Sequence, residues 1–513
     1  MSGEVHDECG VAAVSLHKDK DSKALFYLYR LLLALQNRGQ LSAGVTTYND
    51  KRSQLINTYR NIGTVNEVFR TANITRSMEL FRKYAGNKGI GHVRYATAGS
   101  DERAYAQPFE RKHGRMWKWF SFCFNGTITN YPELREKLVG KKIDYHITLE
   151  GDTEIIMHYI SRELKGSHKP KLANVFHCLS NVFDGAYNIA FMNAYGDMGI
   201  CRDPIGFRPL CYSIRDGDLF VASESNALSN IGLHKFKSLD PGKLITVNNG
   251  DINIERFANS KRKAHCMFEY VYFANVSSVL DGKSVYVART RLGKELARLE
   301  TEKITKDHIV VPVPDSGKAA GDAYAYELGI PSVEGLIRNR FVGRVFIEGG
   351  KREDKVSTKF VVIKDILKGK KVLLVDDSIV RGTTSERIIS FLKEVGGAKE
   401  VHLRVTCPPI KAPCFYGIDM STVGELLAPQ YEKDIDPDKT SEKVCQKIAK
   451  DLGADSLIYQ TIPGLVRAIG LPKGNLCLGC LTGRYPTACG KEIYCQAVKD
   501  FKSGRKGGRS FSC

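Results

Sequence analysis

Hydrophobic residues recur in two different rhythms along the chain. Up to about residue 258, short apolar runs separated by polar breaks (GVAAVSL, GVTTYN, GIGHVRYAT, FSFCFNG) predict many short strands. Such patterning suits stacked sheets with flanking helices. Ala24 to Leu35 is apolar at helical spacing and predicts a buried helix. It is interrupted by Arg30 and too short to span a bilayer. Near residue 258 the character changes, and the polar, basic NSKRKAH reads as a linker. Beyond it, strand-like runs alternate with helical ones: HIVVPVP with GKAAGDAYAYELG, then KKVLLVDD with TTSERIISFLKEVG, then EVHLRVTCPP. That alternation predicts βαβ units and a mainly parallel sheet. The expected fold class is therefore an α+β domain of stacked antiparallel sheets between helices, followed by an α/β domain with a mainly parallel sheet. The expected boundaries are 1–8, 9–258, 259–498 and a basic tail at 499–513.

Length and charge sharpen this picture. A chain of 513 residues is too long for one hydrophobic core, so two large domains are expected. Lys plus Arg number 76 against 57 Asp plus Glu, a formal net charge of +19. That balance favours anionic partners, whether nucleic acid, anionic lipid or small phosphorylated substrates, or else reflects a generally basic, solvated surface. The start, MSGEVHDE, is short and acidic, unlike a signal peptide, and a cytoplasmic location with no membrane partner is expected. Fourteen Cys in a large cytoplasmic chain point to catalysis, metal binding or core packing rather than a disulfide framework.

The strongest local signal is VLLVDDSIVRGTT, Val372 to Thr384. An apolar strand ends in two adjacent carboxylates, Asp376 and Asp377, then a short loop leads into a helix. Open α/β sheets bind ligands outside the carboxyl ends of their strands. The loop Ser378, Arg381, Gly382, Thr383 and Thr384 offers hydroxyls and free backbone N–H groups at a helix N-terminus, a cradle for phosphate. The paired carboxylates can hold ribose hydroxyls, with a divalent metal such as Mg²⁺ nearby. The plainer reading is a buried strand followed by a helix capped by Asp377 and Ser378. At the other end of the chain, Cys9 precedes an apolar strand. Removing residues 1 to 8 would expose its α-amino group, whose ordinary pKa of about 7.7–8.0 lets it act as a base toward its own thiol. An early cysteine is otherwise a core residue.

The VLLVDDSIVRGTT element resembles the signature of type I phosphoribosyltransferases. In that resemblance VVPVPDSGK is the pyrophosphate-side loop, with Ser316 at a metal-contacting position. IRNRFVGRVFI is the flexible loop that closes over substrate, with Arg340 and Arg344 as binding residues. The neighbours of Cys9 resemble the glutamine site of N-terminal-nucleophile amidotransferases: Arg38 in QNRGQLSAG, Arg94 in GIGHVRYATAG, Asn125 and Gly126 in FNGTITN, and Asp152 in LEGDTE. The resemblance implies that Arg94 binds the glutamine carboxylate and Asp152 its α-amino group. It also implies an oxyanion hole at Asn125 and Gly126, with Arg38 in the glutamine site. Taken together with CRDPIGFRPL, CMFEYVYFAN and CPPIKAPCFYGID, the chain from Cys9 to about Pro486 resembles the amidophosphoribosyltransferase family, which opens purine biosynthesis. Glutamine and phosphoribosyl pyrophosphate would be the substrates and 5-phosphoribosylamine, glutamate and pyrophosphate the products. The family resemblance also implies purine nucleotides as feedback inhibitors and a homo-oligomer, dimer or tetramer. Several positions depart from the family pattern: Asn37, Leu41, Phe124, Arg338, Phe341 and Val345.

Cys477 and Cys480 form CLGC, and Cys266 and Cys414 match two further positions in family members that carry a [4Fe–4S] cluster. Four thiolates suit such a cluster and also structural zinc. Cys489, Cys495 and Cys513 lie in a segment that departs from the pattern and offer alternative ligands. Core packing is expected for Cys123, Cys178, Cys201 and Cys211. Two rival readings stand beside the main one. A phosphoribosyltransferase-like purine regulator binding nucleic acid without catalysis would suit the charge and predict salt-dependent DNA binding. A different glutamine amidotransferase would not need VLLVDDSIVRGTT.

Overall fold

The computed structural model describes residues 9–17, 22–95, 103–140, 147–149, 151–260, 262–339, 360–418, 420, 422–431, 436, 438–439 and 441–504. Residues 1–8, with the expected cleavage segment, lie outside them. So do Arg340, Phe341, Arg344 and Val345 of the expected closing loop, and Cys513.

The first half is a sandwich of two antiparallel sheets. One sheet has seven strands, with Gly10–Ser15 between Asp218–Ala222 and Lys88–Arg94. The other has six, with Phe120–Ile128 paired along its whole length to Gly185–Asn193. Residues of both inner faces, including Val11, Ala13, Ile90, Ala190, Met192 and Ile200, interdigitate in one core. The helices Ala24–Ala34 and Asp152–Glu163 cover the outer faces, each through its own apolar stripe. This is the layering expected from alternating strands whose two faces are both buried.

The second half carries four parallel strands in the order His308–Pro312, Lys371–Asp376, Glu400–Val405, Ser456–Tyr459. Their residues are almost all buried, as parallel strands covered on both faces must be. The helices Lys318–Leu328 and Thr383–Glu394 follow the first two strands, where the sequence predicts them. Phe257 and Ala258 still belong to the first core. Beyond the linker, His265 and Cys266 form a short strand parallel to Leu476–Cys477. The linker's end is tied down: Arg202, buried in the first half, binds Asp281 through both carboxylate oxygens at 2.6 and 3.0 Å and lies 3.2 Å from His265.

Two expectations need correction. The basic tail does not start at Lys499, because the helix Ala488–Lys502 runs through it. Cys178 is exposed rather than packed. The helix Leu172–Ser180 turns Leu172, Val175, Phe176 and Leu179 inward, and position 178 falls on the outer face. No helix among the described residues is long and apolar enough to cross a membrane.

Candidate active site

Cys9 stands at the head of the strand Gly10–Ser15, half-buried, with its thiol 3.8 Å from the carbonyl of Tyr95. Burial pushes the thiol pKa up. The Tyr95 contact and the positive charges of Arg94 and Arg38 pull it down, and the Asp152 carboxylate raises it. Those influences bring Cys9, Arg94, Asp152 and Arg38 into one electrostatic neighbourhood, although they come from positions spread over more than a hundred residues. Arg94 ends the strand Lys88–Arg94 and is buried over the Tyr105 ring, 5.4 Å from its centroid. Asp152 opens the helix Asp152–Glu163, and its Oδ2 accepts the N–H of Ile128 at 3.1 Å. Burial lifts the Asp152 pKa to about 6, against the pull of that hydrogen bond.

Asn125 and Gly126 lie in the strand Phe120–Ile128. The Asn125 side chain is 1% exposed and its Nδ2 has no hydrogen-bond partner. An unmet buried amide donor is costly, and an acceptor arriving there would relieve it. Gly126 has φ 140°, and a Cβ there would stand 1.9 Å from the carbonyl oxygen of Ala186, so only glycine fits. The strand outlasts its neighbour Phe109–Arg111, whose pairing ends at residue 122. Side chains take over the open edge: Gln107 Oε1 accepts the N–H of Phe124 at 2.8 Å, and His92 Nε2 lies 3.1 Å from the Phe124 carbonyl. Burial depresses the His92 pKa to about 3, so the ring is neutral and Nε2 donates. Sequence reasoning did not find either residue.

Arg38 sits at this site but is not disposed to hold a free carboxylate. Its Nε donates to the Cys9 carbonyl at 3.2 Å. Its terminal nitrogens go to Glu224 at 2.8 Å and to both oxygens of Glu269 at 3.0 and 2.7 Å. Its guanidinium is thus paired with two buried carboxylates. Asn37 and Leu41, departures from the family pattern, fit the same surroundings. Asn37 Nδ2 donates to Glu224 and to the Phe273 carbonyl, at 3.0 and 3.3 Å, and Leu41 is buried.

The second cluster lies at the carboxyl end of the strand Lys371–Asp376. Asp376 and Asp377 are 7% and 6% exposed. The Ser316 hydroxyl donates to Asp377 Oδ2 and Ser378 Oγ to Oδ1, the latter at 2.6 Å. Burial raises the Asp377 pKa while these hydroxyls and the charge of Arg289 oppose it. Gly382, at φ 84°, caps the helix Thr383–Glu394 and turns the loop back over the strand ends. Arg381 lies 3.5 Å from Glu425. Thr383 is exposed and Thr384 half-buried at the first turn. Hard oxygen donors and a helix N-terminus thus face one side, a combination that suits Mg²⁺ and phosphate. Arg338, the last strand residue before the expected closing loop, lies 3.7 Å from Asp315.

Comparison with known proteins follows the same division. The glutamine amidotransferase domain family matches residues 80–241 and the phosphoribosyl transferase domain family residues 276–414. An amidophosphoribosyltransferase from Methanothermobacter thermautotrophicus is 40% identical over 494 residues, 96% of this chain and 97% of that protein. The glutamine phosphoribosylpyrophosphate amidotransferase of Bacillus subtilis, solved with ADP and GMP, superposes with a TM-score of 0.80 at 33% identity, covering 94% of this chain and 98% of that one. A structure described as the allosteric regulatory enzyme of purine biosynthesis gives a TM-score of 0.81 at 34% identity, covering 94% of this chain and 97% of that one. The chain belongs to the amidophosphoribosyltransferase family. Members make 5-phosphoribosylamine from phosphoribosyl pyrophosphate and glutamine, and the chain carries both the amidotransferase and the transferase domain that this needs.

For an amidophosphoribosyltransferase, the cysteine pattern gains a location. Cys266, Cys414, Cys477 and Cys480 all line one small cavity with Phe207, Arg208, Tyr416, Ile418 and Tyr485. Cys266 and Cys477 are register partners on adjacent strands, and Cys480 lies on the helix Gly479–Thr482. Cys414 Sγ accepts the Tyr416 N–H at 3.3 Å. Burial lifts Cys266 to about 11 and raises Cys477 and Cys480 further, with mutual repulsion adding to it. As neutral thiols the four can pack together; they would repel one another only as thiolates, the form in which they bind a cation. Cys489 and Cys495 do not line the cavity: Cys489 N–H points to Asp184, 3.4 Å away, and Cys495 is exposed. Among the described residues, the one trio of His, Cys, Asp or Glu whose ligand atoms lie within 4.8 Å of one another is Glu302, His308 and His402. There, His308 Nδ1 accepts the Thr305 N–H at 3.0 Å, so Nε2 carries the proton and offers no lone pair.

Proposed function

We propose that the glutaminase half-reaction runs at Cys9 after loss of residues 1–8. The freed α-amine takes the thiol proton, and Sγ attacks the glutamine amide carbon. The resulting oxyanion is accepted by Asn125 Nδ2 and the Gly126 N–H. Losing one such donor raises a barrier by about 2.7–4 kcal/mol. The α-ammonium passes that proton to the leaving nitrogen, ammonia departs, and water then releases glutamate from the thioester. Arg94 holds the substrate carboxylate as a fork and Asp152 its ammonium. Arg38 holds the Cys9 backbone rather than the substrate. The observation that carries this reading is the buried, unpartnered Asn125 amide within a site whose charges converge on Cys9.

In the second half-reaction ammonia attacks C1 of phosphoribosyl pyrophosphate as pyrophosphate leaves. Asp376 and Asp377 hold the ribose, and the loop Ser378 to Thr384 holds the 5-phosphate. Ser316, Asp376 and Asp377 would hold Mg²⁺, which when bound neutralises the departing pyrophosphate. Arg340 and Arg344 would close over that group. The domain division is 9–258 and 259–502, the second ending with the helix Ala488–Lys502. A cytoplasmic enzyme, homo-oligomeric and subject to feedback by purine nucleotides, completes the reading. The nucleic-acid-binding alternative is not favoured, because a non-catalytic regulator has no use for two catalytic centres.

The four cysteines lining one cavity would hold a [4Fe–4S] cluster, supplying a rigid tie between segments. A single tetrahedral zinc with Zn–S near 2.3 Å needs sulfurs about 3.8 Å apart. Four cysteines on one cavity can serve either group, and the [4Fe–4S] reading rests on their match to the cluster-bearing members of the family.

The deciding experiment is intact mass with paired activities. Active protein should begin at Cys9, and Cys9→Ala should lose glutamine-dependent synthesis and keep ammonia-dependent synthesis. Full glutamine use by protein retaining Met1 to Glu8, or by Cys9→Ala, would overturn the assignment.

A further inference from the structure

Glu269 opens a five-residue π-helical turn, Glu269–Phe273, closed by the Ala274 N–H donating to the Glu269 carbonyl at 3.1 Å. Such turns are rare and place side chains where an α-helix would not. Glu269 lies between the two matched domain regions, and its carboxylate is 2% exposed. That carboxylate takes Arg38 through two hydrogen bonds, and Arg38 in turn holds the Cys9 carbonyl. Glu269 Oε1, one of the two oxygens that accept from Arg38, also lies 3.7 Å from Arg208. Arg208 donates twice to the Tyr416 carbonyl, at 3.0 and 2.6 Å. The next residue, Gly417, abuts Gly126 of the oxyanion hole.

We propose that Glu269 is a positioning residue of the glutaminase. From outside the matched amidotransferase region it fixes the nucleophile through Arg38 and the oxyanion glycine through Arg208 and the Tyr416–Gly417 peptide. A carboxylate is required, because it faces two buried guanidinium groups at once. A neutral amide would turn an N–H toward one of them, and that arginine would swing away from its backbone carbonyl. The distance from Cys9 to the oxyanion donors would then no longer be set, which lowers the rate of attack more than substrate binding. Arg94 and Asp152, which hold glutamine, are not in this chain of contacts. This inference rests on Cys9 being the nucleophile.

The test compares Glu269→Gln with Glu300→Gln in the full-length protein. Glu300 is also a buried carboxylate paired with a buried arginine, Arg404 of the strand Glu400–Val405, at 2.6 Å. Glu269→Gln should lower kcat for glutamine by about 10²-fold with KM for glutamine within about threefold. Alkylation of Cys9 by iodoacetamide should slow with it, while ammonia-dependent synthesis stays within about twofold. Glu300→Gln should leave the ratio of glutamine- to ammonia-dependent rates unchanged. Where Glu269→Gln does not fold, Glu269→Asp, which keeps the charge and cannot span both arginines, should show the same selective fall in kcat. A parallel loss of both activities, an unchanged kcat, or the same selective effect from Glu300→Gln would overturn the inference. Cys9→Ala, measured alongside, separates this from the nucleophile assignment. If that variant still uses glutamine, the assignment itself has failed. If it does not, while Glu269→Gln behaves as wild type, only the inference has.

Discussion

Gly417 lies against Gly126, the proposed oxyanion-hole glycine. A Cβ at 417 would stand 3.2 Å from both the Cα and the carbonyl carbon of Gly126 and 3.3 Å from an Arg208 nitrogen, and Gly417 itself has φ 103°. Backbone on one side and a committed guanidinium on the other leave little to yield. Gly417→Ala should therefore displace the Gly126 peptide and cut glutamine-dependent turnover by roughly tenfold or more, since weakening one oxyanion donor costs on that scale. Ammonia-dependent synthesis should be much less affected. Steady-state rates with each nitrogen source check this, and equal losses would speak against it.

Asp376 and Asp377 close a buried strand with acids that add little to the apolar core. Asp376→Asn and Asp377→Asn should each lose at least about tenfold in ammonia-dependent synthesis and lose the stimulation of glutaminase by phosphoribosyl pyrophosphate. Basal glutamine hydrolysis should survive. Near-normal synthesis in both variants would make these residues helix caps and nothing more.

The Asp152 pKa, raised to about 6, sets a pH dependence with a definite sign. Above that value the group is a carboxylate able to take the substrate ammonium, and below it the group is protonated and cannot. KM for glutamine should rise as pH falls through about 6, with little change in KM for phosphoribosyl pyrophosphate. Initial rates in an overlapping buffer series between pH 5 and 8 would show it. A flat glutamine KM across that range would contradict the assignment.

Anaerobically purified protein should be brown and carry about four irons and four sulfides per chain. Cys414→Ser should remove the colour and lower the melting temperature. Stoichiometric zinc in colourless protein would exclude the cluster.

The parts of this site that sequence revealed are those with a local pattern. VLLVDDSIVRGTT announces itself because strand, acids, glycine and helix start are contiguous, and the structure keeps them in that order. Cys9, Arg94, Asn125 and Asp152 are scattered, and resemblance rather than periodicity brought them together. Glu224, Glu269 and Arg208 went unnoticed for a physical reason. A buried ion pair between distant segments leaves no periodic trace, and each residue alone looks like an ordinary surface charge. For Arg38, sequence does not reveal that its guanidinium is paired with two buried carboxylates. Gln107 and His92 were missed because their task, meeting the Phe124 peptide groups, arises only where the neighbouring strand stops. Cys178 was misplaced through helix phase, which a single cysteine does not reveal.

The pairing of Cys266 with Cys477 has a consequence for how the molecule is made. These neighbours close a loop of roughly 200 residues, a long reach whose entropic cost rises only slowly with length. During synthesis the antiparallel sandwich, complete by Phe257, leaves the ribosome well before Cys477 and Cys480 exist. The four-cysteine cavity is complete only when nearly the whole chain has emerged, so the proposed cluster would enter after a folded amino-terminal half is already in place.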